Sequence, residues 1–137
     1  MRYVLFLFAV ACGAGGEPAR SNPPPSAAAP AEAGTRSDTD IAGLRQALSE
    51  GAQLIDVRTP QEYAAGHVPG AVLVPLGFTL SDPAIQALDK DKPVYVICQS
   101  GGRSSRAADQ LAAGGFHAIN VKGGTGAWKA SGHEIAR

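Results

Sequence analysis

Short apolar runs alternate along this chain with longer segments whose apolar residues recur every three or four positions. The runs QLIDV, AVLV, PVYVIC and HAINV contain little polar alternation, which is typical of strands buried on both faces of a parallel sheet. Helices are predicted in the segments between and beyond them. The pattern therefore predicts an α/β domain with a central parallel sheet of four to five strands and helices on both faces.

Capping residues and turn residues set the expected ends of the helices. Asp38 or Thr39 is expected to cap the first helix, and Gly51 to end it. Pro60 suits the first turn of a short helix that follows the first apolar run. The segments SDPAIQALD, RSSRAADQLAAGG and GTGAWKASG are expected to form the remaining helices.

Residues 1–11 have the pattern of a secretory signal: one arginine followed by a short apolar run, MRYVLFLFAVA. Small residues directly before Cys12 resemble a bacterial lipoprotein signal, in which Cys12 would become the lipidated first residue. We favour this hypothesis over a soluble export signal and over an uncleaved anchor, and it predicts an exported, periplasmic protein attached to a bacterial membrane. Incorporation of a fatty-acid analogue that is lost in Cys12→Ser would test it.

Residues 12–37 are rich in Gly, Pro and Ala and lack apolar periodicity. Such a segment buries too little apolar surface to offset the entropy of ordering it, so we expect a tether. The folded domain is then expected to span residues 38–137.

The composition excludes several classes of partner. Twelve basic and twelve acidic residues give a formal net charge of +0, so the chain lacks the positive charge expected of a nucleic-acid-binding protein. The chain contains two cysteines and no C-x-x-C motif, and its histidines lack metal-ligand spacing. We therefore expect no metal, no cofactor and, if Cys12 is lipidated, a free thiol at Cys98.

Cys98 follows the most apolar run and precedes Gly101 and Gly102, after which a helix is expected to begin at Arg103. In parallel sheets, ligands bind beyond the carboxyl ends of the strands. Backbone amides at a helix start, glycines that let the loop turn tightly and a neighbouring arginine all favour a thiolate. The alternative is that Cys98 is a small buried residue that ends a core strand.

Three sequence motifs occur in register over nearly all of residues 38–137. They are IDVRTPQEYAAGHVPGA at 55–71, CQSGGRS at 98–104 and GGTGAW at 123–128. Together they resemble a single-domain rhodanese, the sulfurtransferase module. The resemblance implies a rhodanese-like α/β fold.

The resemblance also implies a reaction, in which Cys98 takes a sulfane sulfur from a donor such as thiosulfate and passes the persulfide sulfur to cyanide or a thiol. The partners would be a small sulfur donor and an acceptor that could be a protein thiol. Arg103 would help to hold an anionic donor, and the remaining substrate contacts are expected from Gln99, Ser100, Gly101, Gly102, Ser104 and Arg58.

Other functions stay open at this point. The domain could carry or sense sulfane sulfur, or dock a partner, without efficient turnover. Phosphatase or arsenate-reductase activity is a further possibility. Rhodanese-like phosphatases of the cell-cycle type, however, have five residues between cysteine and arginine, whereas four lie between Cys98 and Arg103. The shorter loop favours a single sulfur atom over a tetrahedral phosphate.

Residues around the expected site are interpreted mainly as structural. Asp56 is expected to form an ion pair at the sheet edge, whereas Arg58 could either join that pair or contact substrate. Glu62 is expected to anchor the chain locally. His67 is expected to bond backbone in a turn, and Trp128 to pack in the core.

Overall fold

The computed structural model describes residues 33–137. The predicted signal at 1–11, Cys12 and most of the predicted tether lie outside the described residues, and those interpretations stay predictions. Within residues 33–137, no helix is long and apolar enough to cross a membrane.

Five parallel strands form one sheet in the order β1-β5-β4-β2-β3. The central strands are short and apolar, because both of their faces are covered by helices. This arrangement confirms the α/β architecture expected from the apolar pattern. The strands are β1 (Arg36–Thr39), β2 (Gln53–Asp56), β3 (Val72–Leu73), β4 (Val94–Ile97) and β5 (Ala118–Val121).

Five helices connect or follow the strands. The longest, α4, carries alanines and Leu111 on its buried face, so it packs closely against the sheet. The helices are α1 (Ile41–Ser49), α2 (Pro60–Ala65), α3 (Pro83–Gln86), α4 (Gly102–Ala113) and α5 (Gly124–Ala130).

The core consists of two apolar clusters, one on each face of the sheet. On one face Leu111 of α4 and Ile85 of α3 pack against Val96 of β4. On the other face Leu44 of α1 and Trp128 of α5 pack against the sheet. Alternate residues of each strand point to opposite faces, so one strand contributes to both clusters.

The N-terminal edge of the sheet differs from the sequence-based expectation. The start of the fold was expected at residue 38, whereas β1 already begins at Arg36 and pairs with β5 along its whole length. The α1 cap is Asp40, whose carboxylate accepts from the Gly43 amide at 2.8 Å; the predicted caps, Asp38 and Thr39, lie in the strand. The strand was missed because its sequence, RSDT, is polar, as an edge strand can be.

Candidate active site

The site lies at the carboxyl end of β4, where Cys98 directly follows the strand. Gly101 has φ +112°, a left-handed conformation that glycine adopts without steric cost. This turn sends the chain into α4, which begins at Gly102, one residue before the expected start at Arg103. The exposed residues Gln99 and Ser100 form the outer part of the loop.

Hydrogen-bond donors face the Cys98 sulfur. The Gly101 amide donates to Sγ at 3.0 Å, and the Ser104 hydroxyl oxygen lies 3.3 Å from Sγ. Burial of the thiol raises the pKa of Cys98. Hydrogen bonds from the Ser104 hydroxyl and from the backbone amides of Ser104, Gly101 and Ser100 lower it by more than burial raises it, so the pKa lies below its ordinary value. The structure thus favours a thiolate through hydrogen bonding.

The Cys98 side chain is also part of the core. It is 1% exposed and packs in the same cluster as Val57 and Val74. The loop residues above it, among them Gln99, Ser100 and Gly102, are exposed. Cys98 therefore has almost no solvent-accessible surface, although the outer residues of the loop are exposed.

Arg103 is paired with Glu62 across the site. Its two terminal nitrogens donate to the two carboxylate oxygens of Glu62, each at 2.8 Å. This pairing holds the pKa of the Glu62 carboxyl far below its usual range and raises the pKa of Arg103. Because Glu62 offsets the charge of Arg103, the loop hydrogen bonds, and not the guanidinium, are the main support of a Cys98 thiolate.

Glu62 also anchors its own helix, as expected. Its carboxylate accepts from the Thr59 amide at 3.0 Å, and Thr59 Oγ1 accepts from the Glu62 amide, which completes a capping box. The bond to Arg103 spans 41 residues. No local signal in the sequence pointed to it.

Arg58 was expected either to join the Asp56 ion pair or to contact substrate, and the structure places it in the ion pair. Its side chain is 2% exposed, lies 2.7 Å from the Asp56 carboxylate and donates to the Gly66 carbonyl at 2.9 Å. A buried guanidinium engaged in this way is not free to bind a substrate. The ion-pair interpretation of Asp56 agrees with this geometry.

Helix α5 is hydrogen-bonded to the start of the loop that follows β4, called here the catalytic loop because it contains Cys98. The Thr125 amide donates to the Cys98 carbonyl at 2.8 Å, and the Gly126 amide donates to the Gln99 carbonyl at 3.0 Å. Gly124 lies so close to the loop that a Cβ atom there would be 2.3 Å from the Cys98 carbonyl oxygen. The Gly123-Gly124 turn therefore places α5 beside the site.

A polar chain that runs from the buried residues Ser104 and Asn120 to the exposed Asp38 was not identified from the sequence. Ser104 Oγ lies 2.6 Å from Asn120 Oδ1, and Asn120 Nδ2 donates to Asp38 Oδ1 at 3.0 Å. Asp38 in turn pairs with Arg36 at 2.6 Å. A polar residue in the apolar run HAINV was the available signal, since a buried amide in a central strand needs partners.

His67 and Trp128 have the structural positions expected of them. The His67 ring stacks on Tyr63, with 3.7 Å between ring centroids, and its Nδ1 lies 2.9 Å from the Tyr63 carbonyl. Trp128 is 6% exposed, and its Nε1 donates to the Glu134 carbonyl at 2.7 Å. Neither side chain contacts the Cys98 sulfur.

Within residues 33–137, no group of three or more His, Cys, Asp and Glu side chains is placed to hold a metal ion.

Known proteins are similar to this chain in both sequence and fold. The sulfurtransferase of Allochromatium vinosum is 34% identical over 99 residues, which cover 72% of this chain and 91% of that protein. The Bacillus subtilis protein YqhL is 45% identical over 78 residues, covering 56% of this chain and 60% of YqhL.

A rhodanese-like domain protein from Staphylococcus aureus matches the structure with a TM-score of 0.63 and 33% identity, over 74% of this chain and 99% of that one. Residues 40–131 match the family model of the rhodanese-like domain, a span that contains the Cys98 loop and both motifs that flank it. On these grounds, the chain belongs to the family of rhodanese-like domains.

Proposed function

We propose that this protein is a sulfurtransferase that moves a sulfane sulfur from a donor such as thiosulfate to cyanide or a thiol, through a persulfide on Cys98. The observation that carries the proposal is the set of donors around Sγ, with the Gly101 amide at 3.0 Å and the Ser104 hydroxyl oxygen at 3.3 Å. These donors favour the thiolate, which is the nucleophilic form of cysteine.

In the first step the Cys98 thiolate attacks the outer sulfur of thiosulfate. A new S–S bond forms at Sγ, the S–S bond of thiosulfate breaks, and its electron pair leaves with sulfite. The persulfide that remains on Cys98 has an anionic terminal sulfur. Amides of the turn at residues 99–102 and the N-terminal end of α4 are suited to bind that anion.

In the second step an acceptor such as cyanide attacks the terminal sulfur. A C–S bond forms to give thiocyanate, the persulfide S–S bond breaks, and its electron pair returns to Sγ. The same hydrogen bonds that favour the thiolate also favour its departure from the persulfide. The cycle needs no external oxidant or reductant, and a thiolate at Cys98 attacks without a general base.

The persulfide gives a direct test. Incubation with thiosulfate, followed by removal of excess donor, is expected to add one sulfur atom, about 32 Da, to the peptide that contains Cys98. Cyanide should then remove the added mass. A Cys98 peptide whose mass does not change under any donor concentration would refute the proposal.

Arg103 is proposed to attract an anionic donor even though the carboxylate of Glu62 partly offsets its positive charge. We expect Arg103→Ala to raise KM for thiosulfate by about tenfold and to change kcat less, because a charge-assisted contact contributes about 1.5 kcal/mol or more. Steady-state kinetics would measure both constants.

Arg106→Ala is the matched control for Arg103→Ala. It removes the same charge from an exposed position one turn further along α4, and KM for thiosulfate should stay near the wild-type value. Equal KM changes in the two variants would show that Arg103 has no specific contact with the donor.

A sulfur carrier or sensor is the second candidate function, and the 1% exposure of Cys98 favours it. A sulfur that is shielded from solvent suits a persulfide that persists until a partner protein accepts its outer sulfur atom. Turnover separates the two functions: a carrier would release about one thiocyanate per chain in the presence of cyanide, whereas a sulfurtransferase would continue as long as thiosulfate is supplied.

A further inference from the structure

The Ser104 hydroxyl lies near three hydrogen-bond acceptors but has one proton to donate. Its oxygen lies 2.6 Å from Asn120 Oδ1, 3.2 Å from the Gly101 carbonyl oxygen and 3.3 Å from Cys98 Sγ. A serine hydroxyl carries one proton, so it can donate fully to one of these atoms at a time. The Gly101 carbonyl already accepts from the Ser105 amide at 3.1 Å. Ser104, Asn120 and Cys98 are all buried, so the competition for the hydroxyl proton lies between Asn120 and Cys98.

Asn120 presents its oxygen, not its nitrogen, to Ser104 because of Asp38. The Asn120 Nδ2 atom donates to the Asp38 carboxylate at 3.0 Å, and an ionised carboxylate can only accept hydrogen bonds. The salt bridge from Arg36 to Asp38, at 2.6 Å, holds that carboxylate in place. Asn120 is 5% exposed. If its amide turned over, its buried polar atoms would lose these hydrogen bonds, which costs free energy.

The charge on Sγ decides which acceptor takes the Ser104 proton. With a neutral sulfur, the short contact to Asn120 is the better bond. With a thiolate, a charge-assisted bond to sulfur is the stronger one. Donation to sulfur then leaves Asn120 Oδ1 buried without its partner, which costs free energy.

We propose that Asn120, oriented by Asp38, is a positioning residue that holds the Ser104 hydroxyl proton while Sγ is uncharged and yields it when Sγ becomes a thiolate. In the sulfur-transfer cycle proposed above, on which this role rests, Sγ is charged before attack and uncharged in the persulfide. The hydroxyl therefore turns between two acceptors once per cycle. Asn120 makes the thiolate less stable, and so more reactive, than Ser104 alone would make it.

The other charged side chains near the sulfur form two ion pairs. Arg103 of α4 is paired with Glu62 of α2, and Asp56, the last residue of β2, forms a buried pair with Arg58. Among residues 33–137, no hydrogen bond joins the side chains of these pairs to Ser104 or Asn120. The polar chain through Asn120 is thus a separate connection between β1 and the sulfur.

The test measures the pKa of Cys98 in the full chain. The rate of alkylation by iodoacetamide is followed against pH on the Cys98 peptide by mass spectrometry, so that Cys12 does not interfere. Asn120→Leu, of similar shape, is expected to lower the Cys98 pKa by about 0.4 to 1 pH unit, because Ser104 can then donate to the thiolate without leaving an acceptor unpaired. Ser104→Ala is expected to raise it.

A double-mutant cycle separates this role from a general structural one. In the Ser104→Ala background, Asn120→Leu is expected to leave the Cys98 pKa unchanged, because the hydroxyl that connects the two residues is absent. A pKa that rises or stays constant in Asn120→Leu alone, or a decrease that persists without Ser104, would overturn the proposal. The alkylation assay needs no sulfur transfer, so its result is independent of whether the protein turns over thiosulfate.

Asp38→Ala provides a second variant if Asn120→Leu does not fold. Its carboxylate is 36% exposed, and its loss lets the Asn120 amide turn its nitrogen toward Ser104, which again directs the hydroxyl proton to sulfur. The Cys98 pKa is expected to fall. Asp109→Ala is the control, since it removes another carboxylate bonded to Arg36, and it should not shift the pKa. Equal shifts in the two variants would contradict the proposal.

Discussion

Replacement of Cys98 by serine is expected to reduce sulfur transfer from thiosulfate to cyanide at least about a thousandfold, since loss of a covalent nucleophile removes the reaction path itself. A serine hydroxyl can retain the bonds from Gly101 and Ser104, but it is not ionised near neutral pH. The rate of thiocyanate formation is the measurement. Circular dichroism should show that the variant keeps its fold.

Cys12→Ser is the matched control, because it makes the same chemical change at the other cysteine of the chain. It is expected to transfer sulfur at the wild-type rate. If Cys98→Ser retained substantial turnover, or if Cys12→Ser lost it, the assignment of the nucleophile to Cys98 would be wrong.

Substitution of Gly124 by alanine is expected to reduce both stability and activity strongly. The new Cβ would lie 2.3 Å from the Cys98 carbonyl oxygen and 2.7 Å from the Gln99 carbonyl, and the backbone has φ +58°. The left-handed conformation alone costs about 1–2 kcal/mol. Displacement of α5 would also lengthen the Thr125 and Gly126 bonds to the loop, so we expect a total cost of at least about 3 kcal/mol, measured by urea unfolding.

Gly132→Ala isolates the backbone part of this effect. Gly132 has φ +75°, and a Cβ there would meet nothing within 4 Å. We expect this variant to lose about 1–2 kcal/mol of stability and to keep the alkylation profile of Cys98. Equal losses in the two variants would mean that contact between α5 and the catalytic loop contributes little.

The sequence predicted the central part of the fold well because local patterns determine it. Apolar runs such as VYVI form the buried strands, and the glycines after Cys98 form the turn that leads into α4. The edge strand β1 was missed because its four residues are polar. Its strand conformation comes from backbone pairing with β5, and no side-chain pattern records that pairing.

Arg58 and Arg103 show why residue type alone could not assign roles in the site. Both arginines belong to the motifs that carry the family resemblance; Arg103 was expected to hold an anionic donor, and Arg58 either to contact substrate or to pair with Asp56. In the folded chain Arg58 is buried in an ion pair with Asp56, while Arg103 is partly exposed and forms an ion pair with Glu62. The difference depends on which side chains the fold brings together, and the contact between Arg103 and Glu62 spans 41 residues of sequence.

The amino-acid sequence by itself determined the order of strands and helices from α1 onward, the family resemblance and the position of Cys98 at the end of a buried strand, because these depend on local periodicity and on short motifs. The tertiary structure alone decided how the sulfur is held. The bonds from α5 to the loop, the pairing of Arg103 with Glu62 and the chain from Ser104 through Asn120 to Asp38 join residues that are distant in sequence. Hydrogen bonds act over about 3 Å, so only the folded arrangement of the strands and helices establishes them.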